Sequence, residues 1–169
     1  VTLSFFSLLS TITGDACRGL VSHRVYYFTM VYWVYIVDDD RFLLDLYAVK
    51  FKNAGHEVTA FGDGKDLLDS LRKEGAVAPD AILLDLIMPG IGGLEALEAI
   101  RKENLAKGTK IIILSNQGQS SDIEKAKQFA VDGYIIKAST IPSEVFVETM
   151  RIIKVGTSEK DASNMEKSH

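Results

Sequence analysis

Hydrophobic residues along this chain form short apolar runs that alternate with segments of helical spacing. The run from Val31 to Val37 is nearly continuous and rich in β-branched and aromatic residues, which is typical of a strand buried on both faces. The five runs that predict strands cover residues 31–37, 56–61, 81–84, 110–114 and 133–136. A helical segment follows each run, so the pattern predicts five β/α units.

Apolar residues at every third or fourth position mark the helices. The markers are Phe42, Leu43, Leu46 and Val49 for the first helix, Leu67, Leu68 and Leu71 for the second, Leu94, Leu97 and Ile100 for the third, a segment from Ser121 or Asp122 to Phe129 for the fourth, and Val145, Phe146, Thr149 and Ile152 for the fifth. Gly55 is predicted to end the first helix, and the third is predicted to end near Gly108. Such alternation predicts a doubly wound α/β fold: a parallel sheet with helices on both faces.

Polar and charged residues stand where the predicted strands end. Asp38 and Asp39 follow strand one, Asp85 ends strand three, Ser115 ends strand four and Lys137 follows strand five. Ligands of such folds bind outside the carboxyl ends of the strands, so we expect these side chains to meet at one edge of the sheet.

This set of residue types suits phosphoryl transfer. Crowded carboxylates repel one another unless a cation lies among them, and Mg²⁺ prefers oxygen ligands of this kind. A carboxylate can act as the nucleophile, while a hydroxyl and an ammonium contact the oxygens of the transferred group. Taken singly, each residue has a plainer explanation: Asp40 is expected to cap the first helix, and Asp85 alone could belong to the turn before Pro89.

Four segments in this order resemble the receiver domain of two-component response regulators: VYIVDDD (34–40), ILLDLIMPG (82–90), IIILS (111–115) and GYIIK (133–137). Their spacing matches the family from Val34 to about Ile153. The resemblance implies a CheY-like, flavodoxin-like sheet of five parallel strands in the order 2-1-3-4-5. It also implies a stand-alone, single-domain signalling protein.

For the metal site, the resemblance implies that Asp85 is the phosphoacceptor. It further implies that Asp38, Asp39 and Asp85 hold Mg²⁺ together with the backbone carbonyl of Ile87. On this interpretation the protein is not an enzyme in the ordinary sense, because it would catalyse only its own phosphorylation and dephosphorylation.

For the switch, the resemblance implies that Ser115 and Lys137 contact the phosphoryl group and that Ser115 and Tyr134 move together on activation. Ala138 stands where the family usually has proline, so no cis peptide bond is expected after Lys137.

The resemblance also implies partners. The donor would be a sensor histidine kinase or a histidine phosphotransfer protein, and the output would be contact with a downstream protein that the sequence does not name. A homodimer through the face formed by helix four, strand five and helix five is a further expectation.

Composition limits the classes of function and the cellular compartments that fit this chain. The net charge of −4 gives no basic surface for nucleic acid, and the single cysteine fits a reducing, cytoplasmic compartment.

The apolar stretch 1–12 is too short to span a membrane. Residues 1–29 are predicted to be an N-terminal extension produced by a wrongly assigned start, with synthesis beginning at Met30; mass spectrometry of the native N-terminus tests this. Residues 30–153 are the predicted receiver domain, and 154–169 a disordered polar tail.

Two other functions are compatible with the residues. The chain could be a degenerate receiver that binds proteins without using phosphate, in which case a phosphodonor would leave Asp85 unlabelled. It could instead be a phosphohydrolase with Asp85 as nucleophile. Such enzymes usually carry a second acid two positions later, and Ile87 stands there.

Overall fold

The strands form one parallel sheet in this computed structural model, which describes residues 30–116 and 120–165. They are β1 (Trp33–Val37), β2 (Glu57–Phe61), β3 (Ala81–Asp85), β4 (Lys110–Ser115) and β5 (Gly133–Ile136). The strand order is β2-β1-β3-β4-β5, and every pairing is parallel. The predicted fold class and strand order are therefore confirmed. Residues 1–29 lie outside the described residues, so the hypothesis about them stays a prediction.

In the described residues, four α-helices connect the strands and a fifth follows β5. They are α1 (Arg41–Asn53), α2 (Gly64–Leu71), α3 (Gly93–Lys102), α4 (Ser120–Lys127) and α5 (Pro142–Met165). In the described part of the chain, none of them combines the length and the apolar composition that crossing a lipid bilayer requires.

Alternate residues of the central strands feed two core layers, one on each face of the sheet. Ile36 and Leu83 belong to the layer that α1 and α5 cover. Val37 and Leu84 belong to the layer that α2 and α3 cover. Strands buried on both faces hold their carboxyl ends rigidly, and this fixes the positions of the residues that follow them.

The apolar spacing of α1 predicted a helix but did not identify its buried face. The residues that enter the core are Leu44, Tyr47, Ala48 and Phe51. Phe42, Leu46 and Val49 are exposed instead. Because α1 carries apolar residues on both faces, periodicity alone cannot distinguish the core side from the solvent side.

The ends of α1 and α3 follow the same hydrogen-bond pattern. Gly55 has φ 87° after α1, as predicted, and the amide of His56 reaches back to the carbonyl of Phe51. After α3, Asn104 takes this role with φ 55°, and the amide of Leu105 donates to the carbonyl of Ile100. The helix therefore ends at Lys102, before the predicted end near Gly108, because asparagine also tolerates the left-handed conformation.

Helix α5 is longer than expected. It continues to Met165, whereas a disordered polar tail was predicted from residue 154, so that prediction is wrong for residues 154–165. Extending a formed helix adds one hydrogen bond per residue without a new nucleation step, and this segment has no proline. Residues 166–169 lie outside the described part of the chain.

Candidate functional site

The register of the strands brings the predicted site residues to one edge of the sheet. Val37 of β1 pairs with Leu84 of β3, so Asp38 and Asp85 follow at the same level. One strand further along, Asp85 pairs with Leu114, which places Ser115 next to it. Ser115 pairs in turn with Ile136 of β5, and Lys137 comes directly after.

The carboxylates of Asp38 and Asp85 are buried and oriented by the backbone. One oxygen of Asp38 accepts the amide of Asp40 at 3.0 Å, and one oxygen of Asp85 accepts the amide of Ile87 at 3.1 Å. Both bonds span two residues, so the turns after β1 and β3 set the direction of each side chain. The second oxygen of each carboxylate accepts a hydrogen bond from a side chain instead.

Lys137 lies between the two carboxylates. Its Nζ donates to Oδ2 of Asp38 at 2.9 Å and to Oδ2 of Asp85 at 2.6 Å, and only 6% of its side chain is exposed. Burial by itself would lower the pKa of Lys137. The hydrogen bonds to Asp85 and Asp38 outweigh that effect, so the pKa lies above its ordinary value and the group is a cation at neutral pH.

Asp39 completes a cluster of acids with Asp38 and Asp85, which we call the acidic cluster. One carboxylate oxygen from each lies within 4.8 Å of the others; Asp39 is exposed and the other two are buried. Burial raises the pKa of Asp38 even though the hydrogen bond from Lys137 opposes it. One ammonium does not balance the negative charge of three neighbouring carboxylates. An additional cation would balance more of that charge, and an all-oxygen donor set fits Mg²⁺.

Ser115 and Tyr134 each bring a buried hydroxyl without a hydrogen-bond partner in the described part of the chain. Burial also raises the pKa of the Tyr134 phenol. An unsatisfied buried hydroxyl costs free energy, so either group gains if an acceptor or donor arrives. The structure places Ser115 beside Asp85 through the strand register but shows no hydrogen bond between it and the acidic cluster.

The loops around the cluster have simple local structures. Residues 137–139 form a single 3₁₀ turn after β5, and the peptide bonds of the described residues are all trans. The side chain of Ile87 is exposed while its amide binds Asp85. A metal-binding role for the carbonyl of Ile87 stays a prediction. Asp40 caps α1 by accepting the amides of Phe42 and Leu43, as predicted.

Gly93 is a site neighbour that the sequence analysis missed. It opens α3, and its amide donates to the carbonyl of Leu86 at 3.0 Å. A Cβ at this position would overlap the carbonyl oxygen of Asp85. The helix therefore touches the backbone of Asp85 directly. The available sequence signal was the Gly92-Gly93 pair shortly after Pro89-Gly90, because consecutive glycines often mark a close backbone approach.

A comparison with protein-family models matches residues 34–145 to the response regulator receiver domain. Among curated proteins, the chain is 28% identical over 109 residues to the DNA-binding response regulator MtrA of Mycobacterium bovis. That match covers 64% of this chain and 45% of MtrA, so the chain spans less than half of this relative's length.

Solved structures share the fold. The chemotaxis response regulator CheY4 of Vibrio cholerae has a TM-score of 0.64 and 24% identity, with 73% of this chain and 99% of that chain covered. A CheY-like receiver domain protein from Methanospirillum hungatei has a TM-score of 0.67 and 22% identity, with coverages of 77% and 99%.

Proposed function

The chain belongs to the response regulator receiver domain family, and on that premise we propose that it accepts a phosphoryl group on Asp85 from a histidine kinase or a histidine phosphotransfer protein. The family is one of signalling phosphoacceptors. The observation that carries the proposal is the convergence of Asp38, Asp39, Asp85 and Lys137 at the carboxyl edge of the sheet.

In the proposed reaction, a carboxylate oxygen of Asp85 forms a bond to phosphorus. The bond between phosphorus and the donor nitrogen breaks at the same time, and its electron pair stays with the donor imidazole. Mg²⁺ held by Asp38, Asp39, Asp85 and the Ile87 carbonyl would neutralise charge on the phosphoryl oxygens. The protein would catalyse this step, and the later hydrolysis, only on itself.

Lys137 and Ser115 are proposed to bind the phosphoryl oxygens. The Lys137 ammonium already donates to Asp85, so it can move with the modified side chain and keep a charge-assisted hydrogen bond. Ser115 is adjacent in the sheet, and its buried hydroxyl has no partner in the described residues, so a phosphoryl oxygen would satisfy it.

We propose that Tyr134 transmits the change. Phosphorylation brings about two negative charges, and Ser115 at the end of β4 would move toward Asp85 to contact them. Tyr134 lies on the neighbouring strand, opposite Ile113, and its hydroxyl also has no partner in the described residues. A shift at Ser115 would change the space available to the Tyr134 ring and bias one of two packings.

The output face is proposed to include β5 and α5. A groove of about 590 Å³ lies there, and the exposed side chains of Ile136 and Val147 line it. We propose that a downstream protein binds this face. We also propose that two copies of the chain can pair through α4, β5 and α5. Sedimentation of the phosphorylated and the unphosphorylated chain tests this pairing. With a net charge of −4, direct nucleic-acid binding is not part of the proposal.

Phosphorylation of the wild-type chain by a small phosphodonor tests the function directly. Incubation with acetyl phosphate and Mg²⁺ is expected to label the protein, and chelation of the metal is expected to prevent labelling because the charge of the acidic cluster is then uncompensated. Intact-protein mass spectrometry measures the label. An unlabelled, folded protein would favour the degenerate receiver that binds partners without phosphate.

We further propose that the protein donor docks on an exposed apolar stripe of α1. Phe42, Leu46 and Val49, which we call the α1 stripe, are 74%, 39% and 54% exposed and recur at helical spacing on one face. Phe42 lies in the first turn of α1, close in sequence to Asp39. A donor that brings its imidazole to the buried Asp85 has to cover the rim of the acidic cluster, and the stripe continues from that rim.

Replacing Phe42 with serine is expected to slow phosphotransfer from a protein donor by about tenfold, which is the scale of a moderate interface contact. Labelling by acetyl phosphate should not change, because that donor needs no docking surface. Transfer is measured from a phosphorylated histidine phosphotransfer protein that labels the wild type. Val77→Ser is the matched control, since Val77 is 68% exposed between α2 and β3. Equal slowing by both variants would rule out the α1 stripe as the docking surface.

A further inference from the structure

Arg101, in the last turn of α3, holds the backbone that follows α4. Its Nε donates to the carbonyl of Phe129 at 2.8 Å, and its Nη2 donates to the carbonyl of Ala130 at 3.0 Å. A guanidinium presents its donors in a rigid, planar fork, so two bonds to neighbouring carbonyls fix both the position and the direction of that backbone. Arg101 therefore ties the carboxyl end of α4 to α3.

The backbone that Arg101 holds is strained. Ala130 has φ 50°, a left-handed conformation that residues with a Cβ rarely adopt. Such a conformation persists only when the surrounding contacts impose it. The hydrogen bond to the Ala130 carbonyl is one of these contacts, and Asp132 supplies another by donating its amide to the carbonyl of Ile111 at 2.8 Å. The turn after α4 is thus held by α3 and by β4.

Apolar packing attaches α4 only weakly where its side chains are described. From residue 124 to residue 127 only Ala126 is buried, and an alanine buries little apolar area. Phe129, after the helix, adds a half-buried ring that packs against the core layer under α2 and α3. The hydrogen bonds from Arg101 are therefore a large part of what holds the carboxyl end of α4.

We propose that Arg101 fixes the carboxyl end of α4, so that phosphorylation displaces the amino end of the helix while the carboxyl end stays in place. The inference rests on the proposed function, in which Ser115 moves toward Asp85. Helix α4 begins at Ser120, only five residues after Ser115, so a shift at the end of β4 reaches the amino end of the helix first. With the other end fixed, that shift becomes a rotation of α4 relative to β5.

Arg101 acts at a distance from the reaction. Gly93, at the start of α3, contacts the backbone of Asp85, and Arg101 follows eight residues later, about 12 Å along the helix. Arg101 is therefore a positioning residue, which acts on α4 through backbone carbonyls and leaves the acceptance of the phosphoryl group unchanged.

Amide hydrogen exchange of the full chain, measured residue by residue by nuclear magnetic resonance, tests the attachment in the unphosphorylated protein. Arg101→Gln is expected to raise the exchange rates of residues 128–130 at least about tenfold, because two hydrogen bonds from a charged group are lost and the turn opens more often. The rates in α1 and α5 should not change. Arg101→Lys, which keeps the charge without the planar fork, is expected to give a smaller rise at the same residues.

Arg72→Gln is the matched control for Arg101→Gln. The guanidinium of Arg72 also makes two hydrogen bonds, but to the carboxylate of Glu103 on the surface. Exchange at residues 128–130 should therefore be the same in Arg72→Gln and in wild type.

Labelling with acetyl phosphate and Mg²⁺ tests the displacement. In the labelled wild type, exchange is expected to change at the amides that close the first turn of α4 and to stay the same at residues 128–130. In labelled Arg101→Gln the change is expected to extend to both ends of the helix. The extent of labelling, measured by intact-protein mass spectrometry, should be equal in all of the proteins.

Three results would overturn the inference. Equal exchange rates at residues 128–130 in Arg101→Gln and Arg72→Gln would show that Arg101 does not hold the turn. A uniform rise across the whole chain in Arg101→Gln would show a loss of global stability alone. Equal changes at both ends of α4 in the labelled wild type would show that neither end is fixed. Each of these leaves the labelling of Asp85, and with it the proposed function, intact. If acetyl phosphate labels none of the proteins, the proposed function fails together with the displacement of α4.

Discussion

Replacing Asp85 with asparagine is expected to abolish labelling by acetyl phosphate. The side-chain amide is close in shape to the carboxylate and can still accept the backbone amide of Ile87, which now binds Oδ1. It lacks the anionic oxygen that attacks phosphorus and also loses its ionic contact with Lys137. The measurement is intact-protein mass spectrometry after incubation with acetyl phosphate and Mg²⁺, with circular dichroism to establish that the variant is folded.

Asp69→Asn is the matched control for Asp85→Asn, since it makes the same chemical change at a surface ion pair on α2. It is expected to be labelled as the wild type is, because exposed ion pairs contribute little. If Asp85→Asn retained wild-type labelling, the acceptor would be another residue. Peptide mapping of the label would then identify that residue, and the proposed function of Asp85 would be wrong.

The fold could be predicted because the hydrophobic pattern of the chain is compatible with few other arrangements of strands and helices. The run 110–114 contains only apolar residues after Lys110, so it has to be buried on both faces, and the structure confirms β4 there. Helices between such strands enforce parallel pairing through crossover connections. The length of α5 could not be predicted, because residues 154–165 have no apolar face and their helix depends on the packed segment before them.

That the site residues lie at the same edge of the sheet could be predicted from where the strands end. Which of their side chains contact one another could not. Asp38 and Lys137 are 99 positions apart, and their 2.9 Å contact depends on the registers of three strand pairings. The family resemblance predicts that Lys137 binds a phosphoryl group, but nothing in the sequence indicates that Lys137 bridges two acids. The choice between these partners depends on charge and on backbone hydrogen bonds, which composition does not encode.

Replacing Gly93 with alanine is expected to destabilise the fold and displace Asp85. The added Cβ would lie 2.7 Å from the carbonyl carbon of Asp85 and 2.9 Å from Cα of Leu86. Both are backbone atoms, so no side-chain rotation relieves the overlap, and α3 or the end of β3 has to move. Such overpacking costs about 3 kcal/mol. A shift of about 1 Å at a reacting group costs about a hundredfold in rate, so labelling should fall by that factor in the folded fraction.

The sign of the stability change makes the Gly93 prediction decisive. Gly93 has no positive φ, so without the contact to Asp85 alanine would restrict the unfolded chain and stabilise the variant by about 0.4 to 1 kcal/mol relative to wild type. Urea unfolding followed by the fluorescence of Trp33, the one tryptophan of the chain, measures the difference. Gly62→Ala is the control, because a Cβ there meets no atom within 4 Å and the change should be within about 0.5 kcal/mol. A Gly93→Ala variant as stable as Gly62→Ala would show that α3 does not fix the backbone of Asp85, and the position of the phosphoacceptor would then depend on its side-chain contacts alone.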